Sequence, residues 1–162
     1  MLSFNRRFFL LGAAALGGCG FTPVLGTQGS ANRLQNNILV DAPKDRPGFL
    51  LTSELEDRLG RATTPRYGLS YKIELSEAPF AISTNDVSLG FDLLGEITYQ
   101  LRDLGTGEVV SKGMVENFTS YSASGSTVAT QVAERDANTR LMTILADQIV
   151  TRLYVAANGL PA

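Results

Sequence analysis

Thr127 to Val155 reads TVATQVAERDANTRLMTILADQIVTRLYV, and its periodicity decides what the rest of the chain has to supply. Val128, Val132, Ala133, Ala137, Leu141, Ile144, Leu145, Ile149 and Leu153 recur at i, i+4 and i+7 spacing, the apolar stripe of an amphipathic helix. Such a helix is about 40 Å long at about 1.5 Å per residue, enough to cross a whole sheet. Its other side holds Glu134, Arg135, Asn138, Arg140, Asp147 and Arg152, read as a solvated face. A stripe that long needs a layer to lie on.

The segments before it supply strands. Leu69, Tyr71, Ile73 and Leu75 alternate with Ser70, Lys72 and Glu74, a half-buried strand. Ser76 to Ser88, with Pro79 and Asn85-Asp86, reads as a long connection. Alternation resumes with Phe91, Leu93, Gly95, Ile97, Tyr99 and Leu101 against Asp92, Glu96, Thr98, Gln100 and Arg102; only Leu94 breaks it. Gly105-Thr106-Gly107 lies between two strand-like runs instead of opening a helix, so it is a hairpin turn and not a phosphate loop. Val109 to Tyr121 forms the next strand. There Val110, Met114 and Phe118 fit one face and Val109, Val115 and Tyr121 the other, with Gly113 as a candidate bulge.

Further upstream, Leu51, Leu55 and Leu59 give a shorter helix over Phe49 to Leu59, with Glu54 and Arg58 as an i,i+4 pair and Gly60 as its stop. Asp41 to Gly48, with two prolines, is a loop, and Ile38-Leu39-Val40 is a first strand. The order predicts a right-handed crossover followed by hairpins. The fold class is α+β: a two-layer α/β sandwich, with an about four-stranded mixed sheet and two helices on one face. The domain spans 38–156 and is followed by a tail, 157–162. The sheet face away from the helices has no cover, yet it carries apolar residues such as Leu94. Surface is therefore left for a partner or a lipid.

The amino terminus is of another kind. Arg6-Arg7, then Phe8-Phe9-Leu10-Leu11, then Gly12-Ala13-Ala14-Ala15 form the charged, apolar and small-residue regions of a signal peptide, 1–18. Leu16-Gly17-Gly18-Cys19 ends it as a lipobox, in which the Cys19 thiol takes a diacylglycerol and the freed amine a further fatty acid such as palmitate. Phe8 to Leu16 is too short to span about 30 Å of hydrocarbon. Several acyl chains at about 0.8 kcal/mol per buried methylene make stable anchoring. Export by the Sec or the twin-arginine route is left open by Asn5-Arg6-Arg7-Phe8. Residues 19–37, rich in Gly, Thr, Ser, Asn and Gln, form the lipidated start and tether.

Composition removes several function classes. There are 14 basic and 16 acidic residues, and the leader takes two arginines with it, so no nucleic-acid-binding surface is expected. The single cysteine is the one to be lipidated, so no internal disulfide can form. Histidine is absent, which removes the commonest general base and metal ligand. Glu54/Glu56 and Glu134/Asp136 are two apart on helices and do not face each other. No catalytic residue, metal or cofactor is assigned, and the chain is not expected to be an enzyme.

The order of several short pieces resembles the LPS-assembly lipoprotein family LptE, in its alphaproteobacterial form. These are Cys19-Gly20-Phe21-Thr22-Pro23; Tyr99-Gln100-Leu101 with Asp103, Thr106-Gly107 and Val109-Val110; Tyr121; and Val128-Ala129, Ala133-Glu134, Asp136-Ala137, Arg140, Leu145-Ala146, Ile149 and Arg152-Leu153. The resemblance implies a one-to-one complex with the outer-membrane β-barrel LptD, a plug position in its lumen, help in barrel assembly, and passage of lipopolysaccharide to the outer leaflet. It implies localisation in the outer membrane, lipid-anchored on the periplasmic side, for which Gly20 after the cysteine speaks as well. By the same resemblance Arg135 is a lipopolysaccharide-binding residue, whereas Val87-Ser88-Leu89-Gly90 lacks the arginine that relatives carry before the second long strand. From the open face, Phe80, Leu94 and Ser111 are expected at the partner interface. The alternative of the same broad class is an auxiliary lipoprotein of an ABC-type lipid transporter.

Overall fold

A computed structural model describes residues 30–82, 88–123 and 125–159. The signal peptide, Cys19 and the tether up to residue 29 lie outside these, as does Val87. The elements are a 3-10 turn Ser30–Arg33, strand β1 (Ile38–Val40), helix α1 (Arg46–Leu59), strands β2 (Tyr67–Ile82), β3 (Ser88–Asp103) and β4 (Val109–Ser122), helix α2 (Thr127–Ala156), and a closing 3-10 turn Ala157–Gly159. One four-stranded sheet runs in the order β1-β2-β3-β4. β1 and β2 are parallel, while β2–β3 and β3–β4 are antiparallel. This is the mixed sheet with two helices that the periodicities predict.

α1 starts at Arg46, three residues before the apolar period does. Asp45 caps it, its carboxylate accepting from the Gly48 amide at 2.8 Å, and Pro47 is tolerated in a first turn that has no internal use for its missing N–H. The loop read over Asp41 to Gly48 is correspondingly shorter. At the far end Gly60 has φ 77°, and a Cβ there would lie 2.1 Å from Asn36 Oδ1. Only glycine fits that stop.

The connection expected over Ser76 to Ser88 is mostly strand. Ser76, Glu77, Ala78 and Pro79 pair with Leu94, Leu93, Asp92 and Phe91. Proline is compatible because odd-numbered residues of β2 turn their backbone groups to the β1 side, as Asp41 N–H donating to Leu69 O at 2.9 Å shows. β1 is too short to reach Pro79, so no ladder bond is lost there.

The core lies between the sheet and both helices. Leu51, Leu55 and Leu59 of α1, Leu69, Leu93, Ile97, Tyr99, Leu101 and Val115 of the sheet, and Leu141, Leu145, Ile149 and Leu153 of α2 are all buried. Thr119 ties the layers, its hydroxyl donating to the Ala137 carbonyl at 3.0 Å. Ala31 and Leu34, before 38–156, and Ala157, after it, are fully buried as well and pack with this core. Val128 and Val132, by contrast, are exposed.

The turn from β3 to β4 is held by Asp103, whose carboxylate accepts from the Gly105 and Thr106 amides at 2.8 and 3.1 Å. Those amides, aided by Arg66, hold its carboxyl below the usual aspartate range. One register shift separates the pairs Leu101↔Ser111 and Arg102↔Val109, so the extra residue is Val110. Gly113, the bulge read from sequence, is regular: its missing side chain makes room for the Tyr99 ring, whose hydroxyl would lie 2.8 Å from an added Cβ.

Candidate functional site: an open sheet face and an inter-helix cleft

Strand register sorts every sheet residue onto one of two faces. The face away from the helices carries Ser70, Lys72, Glu74, Ser76 and Ala78 from β2. From β3 come Asp92, Leu94, Glu96, Thr98, Gln100 and Arg102, and from β4 Lys112, Met114, Glu116, Phe118 and Ser120. Among the described residues no element covers this face. Leu94 and Phe118 are directly opposite each other and are 43% and 60% exposed. Phe80, 56% exposed, lies over Gly90, where an added Cβ would come within 2.4 Å of its ring. Met114 and, on β1, Leu39 complete a set of large apolar side chains left in water on one side of the sheet. A depression of about 680 Å³ lies there, lined by Ser76, Leu94, Phe118 and the cross-strand carboxylates Glu74, Glu96 and Glu116. Lys72 reaches Glu74 at 2.6 Å, and that contact pulls the Glu74 carboxyl down and pushes the lysine up.

Sequence reasoning placed three partner-contact residues on this side, and the structure puts two of them there. Phe80 and Leu94 belong to the open face. Ser111 does not: it pairs with Leu101 and faces the helices, beside the Tyr99 hydroxyl. The physical reason is the bulge at Val110: counted from the turn, where Val109 stands opposite Arg102 on the open side, Ser111 would face Gln100 on that same side, and the extra residue moves it opposite Leu101 instead. Met114 and Phe118 were missed as site residues. Their signal was available in the i, i+4 spacing on one strand face, but only the register decides which face that is.

Arg135 has a different setting. It lines a cleft of about 530 Å³ between the start of α1 and the first half of α2, together with Arg46, Pro47, Leu50, Leu75, Leu93, Ser76, Glu77, Glu134 and Asn138. Leu50, Leu75 and Leu93 make an apolar floor. Among the described residues neither Arg46 nor Arg135 has an ion-pair partner. Glu77 is engaged by Tyr121, whose hydroxyl donates to it at 2.9 Å. The cleft thus offers two uncommitted guanidiniums above apolar carbon, which suits a phosphorylated amphiphile. Arg46 was not legible as a site residue, because it sits in what the sequence presents as a loop.

Among the described residues no group of three or more acidic, cysteine or histidine side chains is arranged to hold a metal ion, and no helix is long and apolar enough to cross a membrane.

A family model described as LptE, lipopolysaccharide-assembly, matches residues 35–153. Among solved structures, a lipoprotein from Caulobacter crescentus superposes with a TM-score of 0.66 at 23% identity, covering 80% of this chain and 97% of that one. The rare lipoprotein B from Shewanella oneidensis gives 0.59 at 10% identity, covering 76% and 96%. A minor lipoprotein from Acinetobacter baumannii gives 0.52 at 19%, covering 77% and 92%. At these identities the likeness speaks for the fold. No curated protein matches the chain.

Proposed function

The chain belongs to the LptE lipopolysaccharide-assembly family, and from that premise we propose that it is a lipoprotein of the outer membrane that plugs the LptD β-barrel in a one-to-one complex. There it assists barrel assembly and the passage of lipopolysaccharide to the outer leaflet. Cys19 carries the diacylglycerol and fatty-acid anchor and keeps the domain on the periplasmic side. No reaction is catalysed.

The observation that carries the plug reading is the open sheet face. Phe80, Leu94, Met114 and Phe118 stand in water on one side of a folded domain, and a partner that encloses the sheet would bury them at about 25 cal/mol per Å² of apolar surface. Arg135 and Arg46 contact the phosphates of lipopolysaccharide at the inter-helix cleft, with Leu50, Leu75 and Leu93 beneath an acyl chain. This assignment is a hypothesis resting on the uncommitted charges above an apolar floor.

Affinity purification of the full chain from detergent-solubilised whole-envelope membranes tests both parts. The expected eluate holds the barrel at equal stoichiometry together with lipopolysaccharide. Arg135→Ala should leave the barrel and lower the lipopolysaccharide severalfold. Recovery of an inner-membrane permease in place of the barrel would instead make the chain an auxiliary lipoprotein of an ABC-type lipid transporter. Unchanged lipopolysaccharide in the Arg135→Ala eluate would remove the cleft from the account.

A further inference from the structure

β4 is the last strand of the sheet among the described residues, so one of its sides has no neighbouring strand there. The Phe118 amide donates at 2.8 Å to its neighbour Asn117 Oδ1. An amide has one hydrogen, so even-numbered residues of β4 turn their backbone groups away from β3. Odd-numbered ones turn towards it, as Ala123 N–H donating to Leu89 O at 2.9 Å shows just past the strand. The outward row is therefore Lys112, Met114, Glu116, Phe118 and Ser120. A bare row of that length is a template for another strand.

Helix α2 closes it. Arg140 Nη2 donates to the outward carbonyl of Ser120 at 3.1 Å, and Arg152 Nη1 donates to that of Met114. Both side chains are exposed. Arg140 is steadied by Asp136 one turn earlier, and Arg152 lies beside the Tyr99 hydroxyl. Between the two capped carbonyls Glu116 presents a charge. We propose that Arg140 and Arg152 are guards that keep the β4 edge from pairing with β4 of a second copy of this chain.

A second copy is the occupant because the edge is self-complementary. In an antiparallel ladder centred on Glu116, Met114 of one copy stands opposite Phe118 of the other, and Lys112 opposite Ser120. Both apolar residues are exposed on the open face, and the arrangement closes with two-fold symmetry. What opposes it is the two arginines, which would have to give up their carbonyls, and the meeting of Glu116 with itself, since like charges directly opposite destabilise a ladder. The inference is independent of the partner barrel.

Sedimentation equilibrium on the mature chain, residues 19–162, carrying Cys19→Ser, which removes both leader and lipid and so prevents copies from sharing a micelle, reads the outcome. The Cys19→Ser chain should be monomeric. Arg140→Ala/Arg152→Ala in the same background should raise the dimerisation constant at least about tenfold. Adding Glu116→Pro should return it to monomer, because that amide points outward and a proline there costs no bond to β3. A double variant as monomeric as the parent overturns the proposal, as does a dimer that survives Glu116→Pro. Should the double variant fail to fold, Glu116→Cys in the same background reports the edge directly. Arg140→Ala, which leaves Tyr99 untouched, should then speed intermolecular disulfide formation at position 116, and an unchanged rate overturns the guard role.

Discussion

Tyr121 joins the two ends of the molecule's chemistry. Its ring stacks on Phe91 with centroids 5.6 Å apart, its hydroxyl donates to Glu77 at the rim of the cleft, and burial together with that carboxylate pushes its pKa up to about 12. Burial also raises Tyr71 and Tyr99. The folded state therefore prefers the neutral phenol, while the unfolded chain ionises from the ordinary value of 10.0. The stability contributed is complete below pH 10 and is lost as pH rises towards 12. Denaturant titrations across that range should show the alkaline fall become shallower in Tyr121→Phe; coincident curves would mean that Tyr121 titrates in the fold as it does in the open chain. At this scale the sequence was a fair guide where a residue broke a pattern. Leu94 was conspicuous as the one apolar residue out of alternation, and it is exposed on the open face. Ser111 was misplaced because nothing in Val109-Val110-Ser111 announces where the extra residue of a bulge falls.

The elements were legible by period, and their limits were set by contacts that periodicity does not encode. α2 is the instructive case. A stripe at i, i+4 drifts about 40° per step around a helix with 3.6 residues per turn, so Val128 and Val132 point well away from Ala137, which is buried. The buried side is followed by Ala137, Leu141, Leu145, Ile149 and Leu153 as the helix crosses a twisted sheet, while the two valines are 70% and 59% exposed. Removing buried methyls leaves a cavity, and removing exposed ones does not. Leu145→Ala should cost about 2–5 kcal/mol in urea unfolding, whereas Val128→Ala and Val132→Ala should each stay within about 0.5 kcal/mol. A valine variant as damaging as Leu145→Ala would place the start of α2 in the core after all. The extended end of β2 escaped the sequence reading for a related reason: Pro79 is a strand breaker only where its N–H is needed, and here it faces an edge.

On the scale of the whole molecule, one hydrophobic layer is closed and another is left open. Both helices lie on the same side of the sheet, and the opposite side keeps Phe80, Leu94, Met114 and Phe118 in water around a row of glutamates. The sequence made this asymmetry foreseeable, since two amphipathic helices can cover only one face of a four-stranded sheet. Which side chains stand on the bare face waited on the register of β4. Site-specific photocrosslinking in cells, from Leu94 and Phe118 on the open face and from Asp147 on the exposed side of α2, tests the plug reading most directly. Capture of the LptD barrel from positions 94 and 118 and not from 147 is the predicted result, and capture from 147 with none from the sheet would contradict it.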